Sequence, residues 1–190
     1  MTQALNQKKI AILVADGFEQ VEMTEPRQAL DAAGAQTYII SPNSDTVQGW
    51  NHFDKGDHFT VDVALESANP SDYDALLLPG GVANPDQLRI NEQAVQFVQS
   101  FFAAGKPVAA ICHAPWTLIE ADVVKGREVT SWPSLETDLK NAGAHWVDQE
   151  VVVDRGLITS RNPQDIPAFN QAIVAAFAAD RQQQPLSAVR

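Results

Sequence analysis

Four short runs of unbroken aliphatic character constrain this chain more than any other feature. Residues 10–15, 37–40, 75–78 and 108–111 contain almost nothing polar, and each ends abruptly, at Asp16-Gly17, Ser41-Pro42, Pro79-Gly80-Gly81 and Cys112-His113. Short apolar runs without alternation are strands buried on both faces, which places them inside a parallel sheet covered by helices. Helical spacing fills the gaps. Residues 24–33 read as a helix closed by Gly34, and residues 92–104 carry Ala94, Val95, Phe97, Val98, Phe101 and Phe102 on one stripe before Gly105. Strand, helix and strand in about 30 residues make a βαβ unit with a right-handed crossover. The polar stretch 41–62 reads as a hairpin or excursion from the sheet.

Beyond Cys112 the pattern predicts a helix to Glu120, a strand near 128–131 and a helix over 135–142. Asp154-Arg155-Gly156 then turns a hairpin between 151–153 and 157–159, and a last helix covers 163–177. No repeat, linker or low-complexity stretch interrupts this order. The expectation is one doubly wound α/β domain over residues 1–190, a three-layer sandwich with a mostly parallel sheet. Its core lies at about 9–178, and a polar, frayed tail starts at Arg181.

Composition narrows the function. With 13 Lys and Arg against 24 Asp and Glu, the net charge is −11, which disfavours nucleic-acid backbones and anionic membranes. A hydrophobic content of 45% with 19% charged residues argues against disorder. The apolar run 10–15 is too short for a signal or membrane segment, and the one cysteine cannot form an internal disulfide, so a reducing, cytoplasmic setting is expected. His52, His58 and His145 have no partners at metal-ligand spacing, so neither a metal nor an organic cofactor is implied.

Chemistry in such a sheet gathers where strands end and helices begin. Cys112 stands there, within Ala110-Ile111-Cys112-His113-Ala114. Small residues two before and two after a nucleophile suit a sharp strand-to-helix elbow, and a helix start lowers a thiol's pKa. A buried, inert packing thiol is the competing reading.

The ordered set of motifs resembles the PfpI family of the class I glutamine amidotransferase-like superfamily, with its flavodoxin-like fold. The matching segments are Gly17-Phe18-Glu19-Gln20-Val21-Glu22, Asp74 to Gly81, Gly105 to Pro115, Thr130-Ser131-Trp132-Pro133, and Thr159-Ser160-Arg161-Asn162-Pro163. The resemblance spans roughly residues 9–177. It implies Cys112 as nucleophile, His113 as its adjacent histidine, and Glu19 as the carboxyl that reaches the sulfur. It also implies an oxyanion hole from the backbone N–H groups of Gly81 and His113. In PfpI-type peptidases an acid from a neighbouring subunit orients the histidine. Asp86 is the match, on a loop one residue longer and with a shorter side chain. On the residues alone, Asp86 is equally a helix cap, and Glu19 one of three spaced acids with Glu22 and Glu25. Arg27 and Arg161 read equally as structural ion-pair members, and Trp116 and Trp132 as core or pocket walls.

The family supports two cysteine chemistries: peptide hydrolysis by an intracellular peptidase, and glyoxalase or deglycase action on dicarbonyls and their adducts on proteins. The partners expected are those substrates and further copies of the chain, in a dimer or larger homo-oligomer. The alternative is a stress-response redox sensor or chaperone whose cysteine is oxidised without turnover. A glutaminase fails locally, because the histidine after the elbow, His145, opens no His-x-Glu pair. A dinucleotide or phosphate loop fails because Pro79-Gly80-Gly81-Val82 lacks the required spacing and lysine.

Overall fold

The computed structural model describes residues 4–179; the expected frayed tail lies outside them. In chain order the strands are β1 (Lys9–Leu13), β2 (Phe18–Glu19), β3 (Gln36–Ser41), β4 (Thr46–Asn51), β5 (Asp54–Thr60), β6 (Val63–Ala64), β7 (Ala75–Leu78), β8 (Val108–Ile111), β9 (Glu128–Val129), β10 (His145–Trp146), β11 (Val151–Asp154) and β12 (Leu157–Ser160). The α-helices are α1 (Gln20–Ala32), α2 (Ala83–Arg89), α3 (Glu92–Ala103), α4 (Pro115–Glu120), α5 (Glu136–Asn141) and α6 (Ile166–Ala178).

Among the described residues the central sheet has seven strands, ordered β11-β12-β8-β7-β1-β3-β6. Every pair is parallel except β11 and β12, the antiparallel hairpin turned at Arg155 and Gly156. The mostly parallel α/β sheet is thus as the apolar runs imply. Strand pleating divides the core in two. Ile10, Ile12, Ala75, Leu77, Ala109 and Ile111 face α1 and α6, where Met23, Leu30, Phe169 and Ile173 cover them. Ala11, Leu13, Leu76, Leu78, Val108 and Ala110 face Phe97, Phe101, Leu118 and Leu139 on the other side. This is the three-layer arrangement that period-2 alternation in doubly buried strands requires.

The stretch 41–62 forms the hairpin β4–β5, which joins β2 in a separate three-stranded sheet. One boundary differs from expectation in a way that matters. Helix α1 starts at Gln20, four residues before Thr24, and runs through Pro26. Proline lacks an N–H and disfavours a helical residue before it, so it reads as a helix start; packing of Met23, Pro26 and Leu30 against the sheet overrides that local signal. Helix α2, which directly follows the Gly-Gly turn, has no periodic apolar stripe long enough to announce itself.

Candidate active site

The chain leaves β1 toward β3 on one side and returns to β7 on the other. A crevice therefore opens beyond the carboxyl ends of β1 and β7, beside β8. Three turns meet there: Gly17 after β1, Gly80-Gly81 after β7 and Cys112 after β8. All three border one cavity of about 640 Å³.

Cys112 has φ +63°, a left-handed conformation rare outside glycine. The neighbouring chain over-determines it. Its N–H donates to the Ser160 carbonyl at 3.0 Å, and its own carbonyl accepts from Trp132 N–H at 2.9 Å. The end of β12 and the loop after β9 thus hold the elbow from both sides, presenting the side chain to the cavity.

His113 follows with its Nδ1 at 3.1 Å from the Cys112 sulfur. Its ring stacks on Trp132, centroids 5.7 Å apart, and meets Trp116 edge-on at 5.2 Å; both tryptophans wall the histidine. Nε2 lies 3.5 Å from Ser134 Oγ, a weak contact. Burial lowers the His113 pKa to about 4, so the imidazole is neutral at neutral pH and Nδ1 can accept a proton from the thiol.

The carboxyl beside the sulfur is Glu22, not Glu19. Glu22 is fully buried on the first turn of α1; it hydrogen-bonds with Cys112 and accepts the Gly80 N–H at 2.9 Å. Burial raises its pKa to about 8, so it keeps its proton at neutral pH. Because α1 starts at Gln20, position 22 shares the inward face with Pro26 and Leu30, at helical intervals of four. That spacing was the available signal, hidden by placing the helix start at Thr24. Glu19 caps the other end of the arrangement: it lines the cavity, and its Oε2 accepts the His52 backbone N–H at 3.0 Å.

Gly80 and Gly81 are glycine for steric reasons. A Cβ on Gly80 would lie 2.5 Å from Glu22 Oε2 and 2.7 Å from Cys112 Cβ; Gly81 has φ +78°, and a Cβ there would lie 2.5 Å from the Gly17 carbonyl oxygen. With no side chain in the way, the Gly81 N–H reaches the sulfur, as does that of His113. Asn84, which the sequence reading passed over, locks the turn. It is fully buried, accepts from Ala15 N–H at 2.7 Å and donates to the Pro79 and Gly80 carbonyls.

Burial pushes the Cys112 thiol well up and the Glu22 carboxyl adds to this, while the Gly81 and His113 amides pull it down. A thiol lowered by a helix start is not what the resting site holds. Helix α4 begins only at Pro115, three residues on, and desolvation prevails. The resting set is a thiol, a neutral imidazole and a neutral carboxylic acid, with two amides turned on the sulfur.

Asp86 lies in the first turn of α2 and lines the cavity, but its carboxylate makes no hydrogen bond to His113 or to any other described residue. It is not a helix cap; Asn91 caps the next helix instead. Trp50, His52 and Phe53 from the β4–β5 hairpin complete the mouth, and sequence spacing had no means of bringing them there. Arg27 pairs with Asp31 and Asp62, and Arg161 with Asp148 and Asp165, so both sit in structural ion pairs.

Residues 8–176 match the model of the DJ-1/PfpI family. The chain is 45% identical over 175 residues to the protein/nucleic acid deglycase 2 of Escherichia coli, covering 90% of this chain and 99% of that protein. It is 43% identical over 166 residues to a deglycase of Pyrococcus horikoshii, covering 87% and 97%. Among solved structures, a two-domain protein of Anabaena variabilis with DJ-1/ThiJ/PfpI-like and ferritin-like domains superposes with a TM-score of 0.85 at 34% identity. That match covers 94% of this chain and 52% of the larger protein.

Proposed function

The chain belongs to the DJ-1/PfpI family, and from that premise we propose that it is a cysteine-dependent hydrolase of carbonyl adducts, a deglycase, with Cys112 as nucleophile. The observation that carries this reading is the Cys112 sulfur 3.1 Å from a neutral His113 nitrogen, on an elbow at φ +63° beneath two backbone amides. Relatives named as deglycases support this choice, while one 42% identical that is named a putative cysteine protease makes peptide hydrolysis the second reading.

In this reading the adduct is a carbinolamine of an amine and a dicarbonyl. The thiol proton passes to His113 Nδ1 as sulfur bonds to the carbinol carbon. The C–N bond breaks, and the amine leaves with the proton. Through an enediol, the proton on that carbon moves to the neighbouring carbonyl carbon and the carbinol hydroxyl proton moves to that carbonyl's oxygen, so the hemithioacetal becomes a thioester. Water cleaves the C–S bond, releasing a 2-hydroxy acid and restoring the thiol. The Gly81 and His113 N–H groups hold the oxygen that gains charge, and protonated Glu22 donates to the sulfur when it is anionic. Such donors lose most of their value in water, and the cavity is where water is partly excluded.

The test is turnover of a methylglyoxal adduct of an acetylated amino acid, beside a fluorogenic peptide, by wild type and Cys112→Ser. Adduct turnover that disappears in the variant is the expected result. Turnover surviving the substitution overturns the reading, and peptide cleavage alone favours the peptidase. Intact mass after dilute peroxide, in a protein that turns over neither, identifies a redox sensor.

A further inference from the structure

We propose that Asn84 is a positioning residue for the reaction: its side-chain amide holds two consecutive peptide groups of the Gly-Gly turn, so that one N–H meets Glu22 and the next meets the Cys112 sulfur. This rests on the reading of Cys112 as nucleophile, and it names the residue that aims the donors at the sulfur.

A trans peptide is planar, with its C=O and N–H on opposite sides, so whatever fixes the carbonyl also fixes the direction of the N–H. The Pro79–Gly80 peptide carries the Pro79 carbonyl and the Gly80 N–H. The Gly80–Gly81 peptide carries the Gly80 carbonyl and the Gly81 N–H. Asn84 Nδ2 donates to the Pro79 carbonyl at 2.8 Å and to the Gly80 carbonyl at 3.0 Å. From the far sides of the same two planes, the Gly80 N–H donates to Glu22 Oε2 at 2.9 Å and the Gly81 N–H reaches the sulfur. Asn84 Oδ1 accepts the Ala15 N–H at 2.7 Å. A backbone N–H can only donate, so this bond settles which end of the side-chain amide faces the carbonyls. One residue thus ties the end of β1 to both carbonyls of the turn after β7.

The turn needs such a holder. With glycine on both sides, and φ of +78° at Gly81, no side chain of its own resists rotation of the Gly80–Gly81 peptide. The Glu19 N–H also points at the Gly80 carbonyl, but at 3.4 Å it lies beyond the usual range of such a bond. Asn84 is fully buried in the first turn of α2, and its role there is not capping. A cap accepts from helix N–H groups, whereas Asn84 donates to carbonyls that precede the helix. An apolar side chain would fill the space without the cost of burying an amide. A donor on the carbonyl also polarises the peptide and strengthens its N–H on the opposite side. Asn84 therefore acts on the direction and on the strength of the Gly81 donor.

The experiment sets Asn84→Ala beside Gln87→Ala. Gln87 Nε2 donates to the Asp16 carbonyl at 2.8 Å, so its loss loosens the same helix from the turn after β1 but leaves the Pro79 and Gly80 carbonyls held. The readout is the pH dependence of iodoacetamide alkylation at Cys112 in the folded proteins. Without the Gly81 donor the thiolate is less stable. The inflection in Asn84→Ala should rise by about one pH unit, and the rate below it should fall about tenfold. Gln87→Ala should follow the wild type. Mere loosening acts with the opposite sign, because entering water stabilises the thiolate and speeds alkylation. An inflection unchanged or lowered in Asn84→Ala, or raised equally in Gln87→Ala, overturns the proposal. If Asn84→Ala does not fold, the wild type still provides a test. Both Asn84 Nδ2 protons should exchange with D2O far more slowly than those of exposed side-chain amides, and fast exchange overturns the proposal. On a methylglyoxal adduct, kcat should fall about tenfold or more in Asn84→Ala with KM moved less, and an unchanged kcat counts against the role. A raised inflection with no adduct consumed by the wild type leaves the role of Asn84 standing and overturns the deglycase reading instead.

Discussion

Glu22 carries a proton that the fold keeps on it, and that has a thermodynamic consequence. Its pKa is about 8 in the folded chain against 4.5 in the unfolded, so between these values the folded state binds the extra proton. Stability from this group is full below pH 4.5 and is lost as pH rises through 8. His113 works the other way: its pKa falls from 6.5 to about 4, so its contribution grows with pH up to 6.5 and is then constant. Between pH 6.5 and 8 only Glu22 of the pair is changing, and it should remove roughly 2 kcal/mol of stability. Urea midpoints at the two pH values test this: the wild type should lose stability across the window, and Glu22→Gln should lose much less. The same variant should alkylate faster at Cys112 with iodoacetamide at pH 9, because no carboxylate then faces the thiolate. Equal rates would mean that Glu22 does not act on the sulfur.

At the scale of elements, the first turn of α1 organises the crevice. Glu19 holds the tip of the β4–β5 hairpin, Gln20 holds its body and Glu22 holds the turn after β7. Gln20 Nε2 donates to Asp57 Oδ2 and its Oε1 accepts from Asp57 N–H, both at 2.7 Å, in a space that Gly49 and Gly56 leave open. Gln20→Ala should therefore speed amide exchange over residues 54–60 while leaving the central sheet protected, at a cost of about 1–2 kcal/mol. Gly80→Ala is the more damaging change. Its methyl group would press on Glu22, Cys112 and the Ile111 carbonyl at once, so a stability loss of about 1–3 kcal/mol is expected. Activity should fall by more than the loss of folded protein explains; kcat/KM per folded molecule, set against thermal unfolding, is the measurement. A fully active Gly80→Ala would mean that the turn tolerates displacement and does not set the position of the nucleophile.

For the whole molecule we expect an active unit of at least two copies. His113 Nε2 meets only Ser134 at 3.5 Å within the described chain, and the Asp86 carboxylate has no described hydrogen-bond or ion-pair partner. Exposed Val82, Phe53 and Trp132 ring the same mouth, and burying them between copies would offset the repulsion of two chains each charged −11. Light scattering beside specific activity across a dilution series checks this, and a fully active monomer would refute it. Much of the architecture was legible beforehand, because a doubly buried strand leaves an unbroken aliphatic run and a turn leaves glycine; the four runs, the two Gly turns and the elbow at Cys112 are of this kind. Such signals are local, set by the period of the backbone and by conformations that only certain residues adopt. The choice of Glu22 over Glu19 was not local: it depended on where packing against the sheet let α1 begin, despite Pro26. The neutral charge state of the site was not local either, because desolvation belongs to the whole surrounding fold. Sequence alone determined which turns end the buried strands, at Gly17, at Gly80-Gly81 and at Cys112. Only tertiary structure decided which carboxyl meets the sulfur, and which hairpin, with Trp50 and Phe53, closes over it, since both depend on contacts between segments far apart in the chain.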